Sequence, residues 1–335
     1  MKSITKNLLS EEKIRELVRV NFGESCRTGA VTELKGGMFN SVYSIERINE
    51  HDRIILKVGV IPGTTLLTYE QDIMPTEVAC FRLIAEKTTV PVPEILAYDF
   101  SKKYISSNYF FMTALEGTTL NKLIMKMDKH NLEKIRIEQA GYIAQIHQIT
   151  GGYFGYFTEV KAQQYATWKE AFLHMFDMVL KDSREHHVAL PYERIENVLE
   201  KNADCLDHLK IPSLVDFDCH EGNVFVKQTG REYTVEGIID FERAFWGDPV
   251  ADFPTSFIMT DDIRKEKSFL AAYLERNPQK SEYTPEDVKR YQLYRMYIFT
   301  IMAAETFRYG FLYGRIQRIL SEKVVRDCLV RLERS

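Results

Sequence analysis

A polar loop followed by a β-hairpin constrains this chain more than any other segment does. Asp218 and Asn223 lie five residues apart, and the residues after Asn223 have the pattern of a β-strand. A polar turn over residues 227–232 precedes a second alternating run, 233–239, which ends at Asp240. We therefore expect the side chains of Asp218, Asn223 and Asp240 to converge beside a hairpin.

This set of side chains suits phosphoryl transfer from a nucleotide. Mg²⁺ prefers oxygen ligands, so we assign Asn223 and Asp240 as metal ligands, and Asp218 as the base for a hydroxyl group. Each residue alone is more simply explained as a turn cap. Their joint spacing matches the protein-kinase pattern of Asp, four residues and Asn, followed by a metal-binding Asp on the next hairpin, which favours the functional interpretation.

Two longer runs carry a family resemblance. Residues 214–226, LVDFDCHEGNVFV, and 238–253, IIDFERAFWGDPVADF, resemble the aminoglycoside phosphotransferase family of small-molecule kinases. The resemblance implies an α+β, two-lobed, protein-kinase-like fold with a small β-rich N-terminal lobe and a larger, mainly helical C-terminal lobe. The family's usual loop has His-Gly-Asp where this chain has Asp216-Phe217-Asp218. Two neighbouring carboxyl groups would raise the pKa of one of them if both were buried.

Other polar residues near these runs are expected to have structural roles. His147 resembles the family's histidine at a helix end, and we interpret it as a core residue. His220 is expected to support the loop without transferring a proton, and Cys219 to fill space. Asp248 and Asp252 resemble the family's acids at a helix start, where they would brace the loop.

Periodicity predicts how the rest of the chain is organised. Ser10 is a plausible cap for a first helix, strands follow over residues 30–60, and a helix is predicted over 74–87. A strand from Tyr109 leads to a hinge at 112–117. Mainly helical sequence follows, with helices predicted over 119–128, 131–149, 166–182 and 191–208, and another opened by Thr284-Pro285. We therefore divide the chain into a nucleotide-binding lobe, 1–115, and a catalytic and substrate-binding lobe, 116–335.

A glycine pair in the first lobe is a candidate phosphate-binding turn. Gly36-Gly37 lies between two predicted strands, where backbone amides can approach phosphate oxygens. Gly37, Asn40 and Ser41 are our candidate nucleotide-binding residues there. A plain hairpin turn is the alternative, because glycine pairs are common in such turns.

Two charged residues and one strand end complete the predicted nucleotide site. Lys57 lies within an apolar strand, where a charge is costly without a partner, so we assign it to the α- and β-phosphates. By analogy with protein kinases, Glu77 on the next helix would be its counter-ion. Main-chain groups from Thr113 to Leu115 are expected to bind the nucleotide base, and such contacts hardly distinguish ATP from GTP.

Composition excludes several classes of protein. The 335 residues carry a net charge of −4 without a long basic run, so nucleic acid is an unexpected partner. The acidic excess follows residue 115 and mildly favours a cationic substrate. No segment predicts membrane insertion or export, and five scattered cysteines predict a reducing cytoplasm. Glu305 or Arg308 is a candidate for lining a substrate cleft.

These features predict an enzyme that moves the γ-phosphate of ATP or GTP to a hydroxyl group of a small molecule, with Mg²⁺ as cofactor. The resemblance suggests an aminoglycoside-type antibiotic as acceptor. A sugar or amino-alcohol kinase and a catalytically silent nucleotide-binding scaffold are the alternatives. A protein kinase is disfavoured, because no Ala-Pro-Glu segment or long activation loop follows Asp240.

Overall fold

The structure is a computed structural model that describes residues 5–35, 37, 39–71 and 73–334. The chain divides into two compact units. The first comprises residues 1–65 and 93–116, and the second comprises 66–92 and 117–335. Residues 66–92, which the sequence prediction assigned to the first lobe, thus pack with the second unit.

The first unit is an antiparallel sheet with one helix. Its five strands run in the order β1-β2-β3-β5-β4. The core lies between the sheet and the apolar face of α1, where Ile14, Leu17 and Val18 are buried against strand residues such as Ile45. The elements are α1 (Glu11–Phe22), β1 (Thr28–Glu33), β2 (Ser41–Arg47), β3 (Asp52–Val58), β4 (Ile95–Asp99) and β5 (Tyr109–Thr113).

The second unit is mainly helical. Its helices are α2 (Ile73–Lys87), α3 (Leu120–Leu123), α4 (Lys129–Ile146), α5 (Trp168–Glu185), α6 (Tyr192–Asn202), α7 (Asp252–Ser256), α8 (Lys267–Arg276), α9 (Pro285–Ala304) and α10 (Phe311–Glu333). Its strands are β6 (Thr118–Thr119), β7 (Gly155–Tyr156), β8 (Ser213–Val215), β9 (Val224–Thr229), β10 (Glu232–Ile238) and β11 (Phe245–Gly247). The predicted α+β fold class is confirmed.

Two small antiparallel sheets position the polar loop of the second unit. One has the order β10-β9-β6 and contains the predicted hairpin; the other has the order β7-β11-β8. The loop 216–223 joins β8 of one sheet to β9 of the other. Gly117 precedes β6, where a Cβ atom would collide with the carbonyl oxygen of Val226. A glycine is therefore required where this strand approaches the hairpin.

Local capping signals were predicted correctly. The Ser10 side chain accepts the N–H of Lys13 at 3.2 Å and caps α1. Thr284 and Asp287 form a capping box at the start of α9, with Pro285 as its first residue.

Two predicted helices were too long. The helix predicted over 119–128 ends at Leu123, and the one predicted over 191–208 becomes a 3₁₀ turn after Asn202. Periodicity locates an apolar face, but it does not fix where tertiary packing ends a helix. None of the helices in the described residues combines the length and apolarity needed to cross a membrane.

Candidate active site

The loop that precedes Asp218 is held by a buried acid. The Asp252 carboxylate, at the start of α7, accepts the backbone N–H of Asp216 at 3.2 Å and that of Phe217 at 2.5 Å. His147, at the end of α4, contacts the same carboxylate through Nε2 at 2.7 Å. His147 and Asp252 are fully buried. The structure therefore confirms that Asp252 braces the loop and that His147 is a core residue.

Cys219 has the structural role that the sequence predicted, whereas the described bonds of Asp248 join its own turn and α9 and not the loop that it was predicted to brace. The Asp248 side chain caps a 3₁₀ turn before α7 and accepts the hydroxyl of Tyr294 at 2.6 Å. Burial, followed by the nearby carboxylates of Asp216 and Asp252, raises the pKa of the Cys219 thiol well above its usual value. A thiol in this state is a poor nucleophile.

Phe217 occupies a strained backbone position, with φ of 59°. The family's usual loop has glycine at this place, which tolerates such a conformation. Here the large side chain compensates, because its ring packs 5.2 Å from that of Phe245 and 5.6 Å from that of Tyr297. At this position, packing of the phenylalanine ring in the core offsets the cost of the strained backbone.

This balance of strain and packing predicts an unusual order of stability for the alanine and glycine variants of Phe217. Phe217→Ala should lower the free energy of unfolding by about 3–5 kcal/mol, whereas Phe217→Gly should lower it by roughly 1 kcal/mol less, because glycine relieves the strain. Denaturant unfolding of both variants measures the difference. The buried Phe245 lacks a positive φ and provides the control, since its glycine variant should be less stable than its alanine variant. The same order at both positions would contradict the strain argument.

Asp218 directly follows the two residues that Asp252 holds, and its side chain has 20% of its surface exposed. Nε of Arg243 lies 3.7 Å from one of its carboxylate oxygens, and Nε2 of His220 lies 3.8 Å from the other. The His220 Nδ1 atom accepts the N–H of Gly222 at 2.8 Å, and partial burial lowers the pKa of the ring. A neutral His220 thus supports the loop as predicted, and Asp218 is the accessible carboxylate beside it.

The hairpin brings Asn223 and Asp240 to one end. Ile238 pairs with Val224 across the two strands, and the Ile239 N–H donates to the Asn223 carbonyl at 3.0 Å. The Asn223 amide nitrogen donates to the backbone oxygen of Asp218 at 3.0 Å. Because that bond uses the amide nitrogen, the side-chain oxygen of Asn223 remains as an acceptor.

Asp240 belongs to a group of three acids. Its carboxylate, that of Glu77 on α2 and that of Glu242 each offer one oxygen, and these oxygens lie within 4.8 Å of one another. Phe81 of α2 packs edge-on against Phe241 at 5.3 Å, which holds the turn after β10 against the helix. Clustered carboxylates with a nearby amide oxygen fit a hard divalent cation such as Mg²⁺.

Asp216, the acid at the family's usual histidine position, is fully buried. Neither of its carboxyl oxygens has a hydrogen bond of normal geometry within the described part of the chain. Burial, followed by the charges of Asp252, Asp218 and Asp240, raises its pKa well above the usual value. Burial and these charges therefore favour the protonated form of Asp216.

The raised pKa of Asp216 predicts a pH dependence of stability. The unfolded chain loses this proton near pH 4 whereas the folded chain keeps it, so wild-type stability falls as pH rises toward the folded pKa. Asp216→Asn removes this contribution. Its stability relative to wild type should therefore increase as pH rises above the usual pKa of an aspartate, near pH 4. Denaturant unfolding at several pH values measures the slope, and parallel curves for the two proteins would contradict it.

The predicted nucleotide residues of the first unit lie near one another in its sheet. Lys57 on β3 is 6% exposed and faces Val42 of β2, next to Ser41. Asn40 and Ser41 are buried at the start of β2, and Gly37 is exposed before them. Gly36 lies outside the described residues. A Cβ atom at Gly37 would lie 3.9 Å from the Asn40 carbonyl oxygen, an ordinary contact distance, so the described residues leave room for a side chain there.

Three other residues predicted for the nucleotide site do not belong to this group. Thr113 pairs with Ile54 at the other end of β3, and Leu115 follows β5 at a half-buried position. Glu77 is buried on α2 in the second unit, whereas Lys57 belongs to the first. The Lys57–Glu77 ion pair therefore stays a prediction.

Comparison with known proteins identifies the family. The model of the phosphotransferase enzyme family matches residues 31–286 of the chain. The chain belongs to the phosphotransferase enzyme family. No curated protein matches it in sequence.

Solved structures share the phosphotransferase fold at low sequence identity. A thermostable mutant of the aminoglycoside phosphotransferase APH(4)-Ia without ligand is 18% identical, with 94% of this chain and 98% of that chain covered and a TM-score of 0.64. A ternary complex of such a mutant with AMP-PNP and hygromycin B is 18% identical, covers 96% and 99%, and has a TM-score of 0.62. The gentamicin complex of APH(2'')-IIa is 14% identical, covers 98% and 97%, and has a TM-score of 0.60.

Sequence reasoning missed three side chains at the site of this phosphotransferase. Glu242 follows Asp240 by two residues and joins its carboxylate cluster. Arg243 lies beside Asp218, and Tyr69, from the segment before α2, lies beside Arg243 with its ring centroid 5.9 Å from the guanidinium carbon. The run Asp-Phe-Glu-Arg offered a local signal for the first two. Tyr69 had none, because its neighbours lie far away in sequence.

Proposed function

We propose that this phosphotransferase moves the γ-phosphate of ATP or GTP to a hydroxyl group of a small molecule. The observation that carries the proposal is the braced loop that presents Asp218 next to Asn223, with Asp240 at the adjoining strand end. Membership of the family supports phosphoryl transfer as the reaction.

Asp218 is the proposed base. A substrate hydroxyl within about 2.6–3.2 Å of its carboxylate would be oriented and would lose its proton to it as the hydroxyl oxygen bonds the γ-phosphorus. The bond from that phosphorus to the oxygen of the β-phosphate would break, and ADP or GDP would leave. Asn223 and Asp240, with Glu242 nearby, would hold Mg²⁺. The bound ion would neutralise phosphate charge.

The first lobe, residues 1–115, is the proposed nucleotide-binding part, and residues 116–335 the proposed catalytic and substrate-binding part. Lys57 would hold the α- and β-phosphates, with Glu77 as its counter-ion. The turn residues Gly37, Asn40 and Ser41 would approach the phosphates, and Thr113 and Leu115 would contact the base through main-chain groups. Relatives solved with AMP-PNP and with ADP support a nucleotide as phosphate donor.

The cytoplasm is the proposed location. All five cysteines are unpaired and buried, which suits a reducing compartment. The relatives bound to hygromycin B and gentamicin suggest an aminoglycoside-type acceptor. A sugar or an amino alcohol is the other acceptor class, because one fold serves many substrates.

A two-stage screen tests this function. Mg-ATP and Mg-GTP should each be compared for their effect on the melting temperature, and the better donor should then be combined with a panel of hydroxylated antibiotics and metabolites. ADP or GDP release on at least one acceptor is expected. Nucleotide binding without product release on any acceptor would instead favour a silent scaffold.

The metal assignment predicts a changed magnesium dependence. Asp240→Asn should raise the Mg²⁺ concentration for half-maximal rate by roughly tenfold or more, because loss of groups that only support ligands already costs 10- to 100-fold in affinity. Rates measured over a Mg²⁺ titration provide the test. Asp177→Asn, at an exposed pair with Lys181, is the control and should leave the titration unchanged. An unaltered titration for Asp240→Asn would refute the assignment.

A further inference from the structure

A cluster of arginine and glutamate side chains adjoins Asp218 in the second unit. We call Arg243, Glu305, Glu70 and Arg308 the ion-pair cluster. Arg243 donates to Glu305 at 2.6 Å, and Arg308 contacts both carboxylate oxygens of Glu70 at 2.9 and 2.8 Å. Arg243 is the member next to Asp218, with its Nε atom 3.7 Å from a carboxylate oxygen. The cluster therefore borders the place where the proposed acceptor hydroxyl would lie.

The acids of this cluster are already engaged. Glu305 accepts the hydroxyl of Tyr309 at 2.7 Å and that of Tyr69 at 3.3 Å in addition to the Arg243 bond. Burial opposes its ionisation, but Arg243 and Arg308 hold its pKa below the usual value. Glu70 accepts the Leu67 N–H at 2.7 Å besides the two Arg308 bonds. Every carboxylate oxygen of these two glutamates thus already accepts at least one hydrogen bond, and an arginine compensates the charge of each.

Arg243, by contrast, retains donors. One terminal nitrogen bonds Glu305, while Nε lies beyond hydrogen-bond distance of Asp218 and the other terminal nitrogen has no hydrogen bond within the described residues. The side chain is 17% exposed. Its guanidinium is always charged and presents N–H groups in a planar fork that matches carboxylate and phosphate oxygens. Of the two side chains described beside Asp218, Arg243 and His220, the arginine is therefore the charged donor with spare hydrogen-bonding capacity.

Tyr69 fixes the position of this guanidinium. The ring stacks on that of Tyr156 at 5.9 Å and 16°, and the preceding Thr68 bonds the buried Asp182 through its N–H at 2.8 Å and its hydroxyl at 2.7 Å. Glu305 anchors Arg243 from the other direction. A guanidinium held from two sides loses little conformational entropy when it binds a ligand.

We propose that the acceptor carries an anionic group, a carboxylate or a phosphate, close to the hydroxyl that is phosphorylated, and that Arg243 binds this group. The inference rests on the proposed phosphotransferase function and names the substrate class for it. With Asp218 accepting the hydroxyl, an anion a few bonds away reaches the spare donors of Arg243. Of the acceptor classes proposed above, this favours an acidic or phosphorylated sugar over an aminoglycoside or an amino alcohol.

Matched acceptors test the proposal on the wild-type protein. One set comprises glucuronate, glucose 6-phosphate, glucose and glucosamine, and another comprises glycerate, glycerol 3-phosphate, glycerol and 3-aminopropane-1,2-diol. Product release with Mg-ATP gives kcat/KM for each. The anionic members should exceed the neutral one roughly 10- to 100-fold, because charge-assisted hydrogen bonds are stronger than neutral ones. The ammonium members should be poorest, and comparison of the two anions shows whether carboxylate or phosphate is preferred.

Equal, reversed or absent preference for the anion would overturn the inference. Turnover of a neutral or cationic acceptor would still support the phosphotransferase function, so the proposal of an anionic acceptor can fail while the proposed function stands. Mg-ATP binding with no product from these sets or from the wider panel would count against both.

Variants distinguish acceptor binding from two other roles of Arg243. Arg243→Lys keeps the positive charge but removes the planar guanidinium. The double variant Arg243→Gln/Glu305→Gln removes both charges, so that no buried glutamate is left unpaired. Each should raise KM for the anionic acceptor about tenfold while the ratio of anionic to neutral kcat/KM falls. An unchanged ratio with a uniformly lower kcat would assign Arg243 to the transferred phosphoryl group. An unchanged ratio with lower stability alone would assign it to the fold, and either result overturns the proposal.

Discussion

Asp218→Asn should lower kcat roughly 10²- to 10⁴-fold, because asparagine keeps the size of the side chain but cannot accept the proton of the acceptor hydroxyl. Nucleotide binding should persist, since the residues proposed to hold the phosphates lie elsewhere. The fold should also persist. Arg243 keeps its bond to Glu305 after the change, so its charge remains compensated. Steady-state rates and nucleotide titration by calorimetry measure the two effects separately.

A neighbouring acid in the same loop provides the control. Glu221 pairs with Arg136, and its side chain is 35% exposed. Glu221→Gln should therefore change kcat by no more than about threefold, as expected for loss of a partly exposed ion pair. If Asp218→Asn retained near-normal turnover on the true acceptor, Asp218 would not be the base.

Much of the site was predictable because its members lie close in sequence. The spacing of Asp218 and Asn223 and the alternation of two strands place three polar groups at one end of a hairpin, and the structure contains that hairpin. Helix caps were predictable for the same reason, since Ser10 and Thr284 bond backbone groups three residues away.

Other parts of the fold depend on partners far away in sequence. Strands β7, β8 and β11 have two or three residues each and form one sheet from three separate places in the chain. Such short segments have no periodicity of their own, and their pairing stabilises them. The Arg308–Glu70 pair joins residues 238 positions apart, so no local sequence pattern predicts it. The sequence indicated Glu305 or Arg308 as a candidate for lining a cleft, but their ion-pair partners emerged only from the structure.

The effect of Asp216-Phe217, which stand where the family usually has His-Gly, could also be determined only from the structure. Sequence reasoning predicted a raised pKa only on condition that both carboxyl groups were buried. That condition is not met for the predicted pair, Asp216 and Asp218, and the fully buried acid near Asp216 is instead Asp252, which bonds the backbone of the loop. The partly exposed Asp218 side chain lies outside that buried pair.

Asp252→Asn should lower the free energy of unfolding by about 3–5 kcal/mol, the range for breaking a buried charged interaction. The carboxylate accepts three donors, and an amide in its place would direct N–H groups toward one of them. The effect should extend to His147, whose other nitrogen contacts the Tyr273 hydroxyl at 2.8 Å. Urea unfolding of the variant measures the loss.

The Asp252 variant should also lose turnover, because the Phe217 N–H that holds the loop before Asp218 would lose its partner. Asp177→Asn, at an exposed pair, is the matched control and should change stability by less than about 1 kcal/mol. Because the charge of Asp252 contributes to the raised pKa of Asp216, the double variant Asp216→Asn/Asp252→Asn should depart from additivity by about 0.5–3 kcal/mol. Additive losses, or a loss below about 1 kcal/mol for Asp252→Asn alone, would show that the loop is held by the surrounding packing and not by this carboxylate.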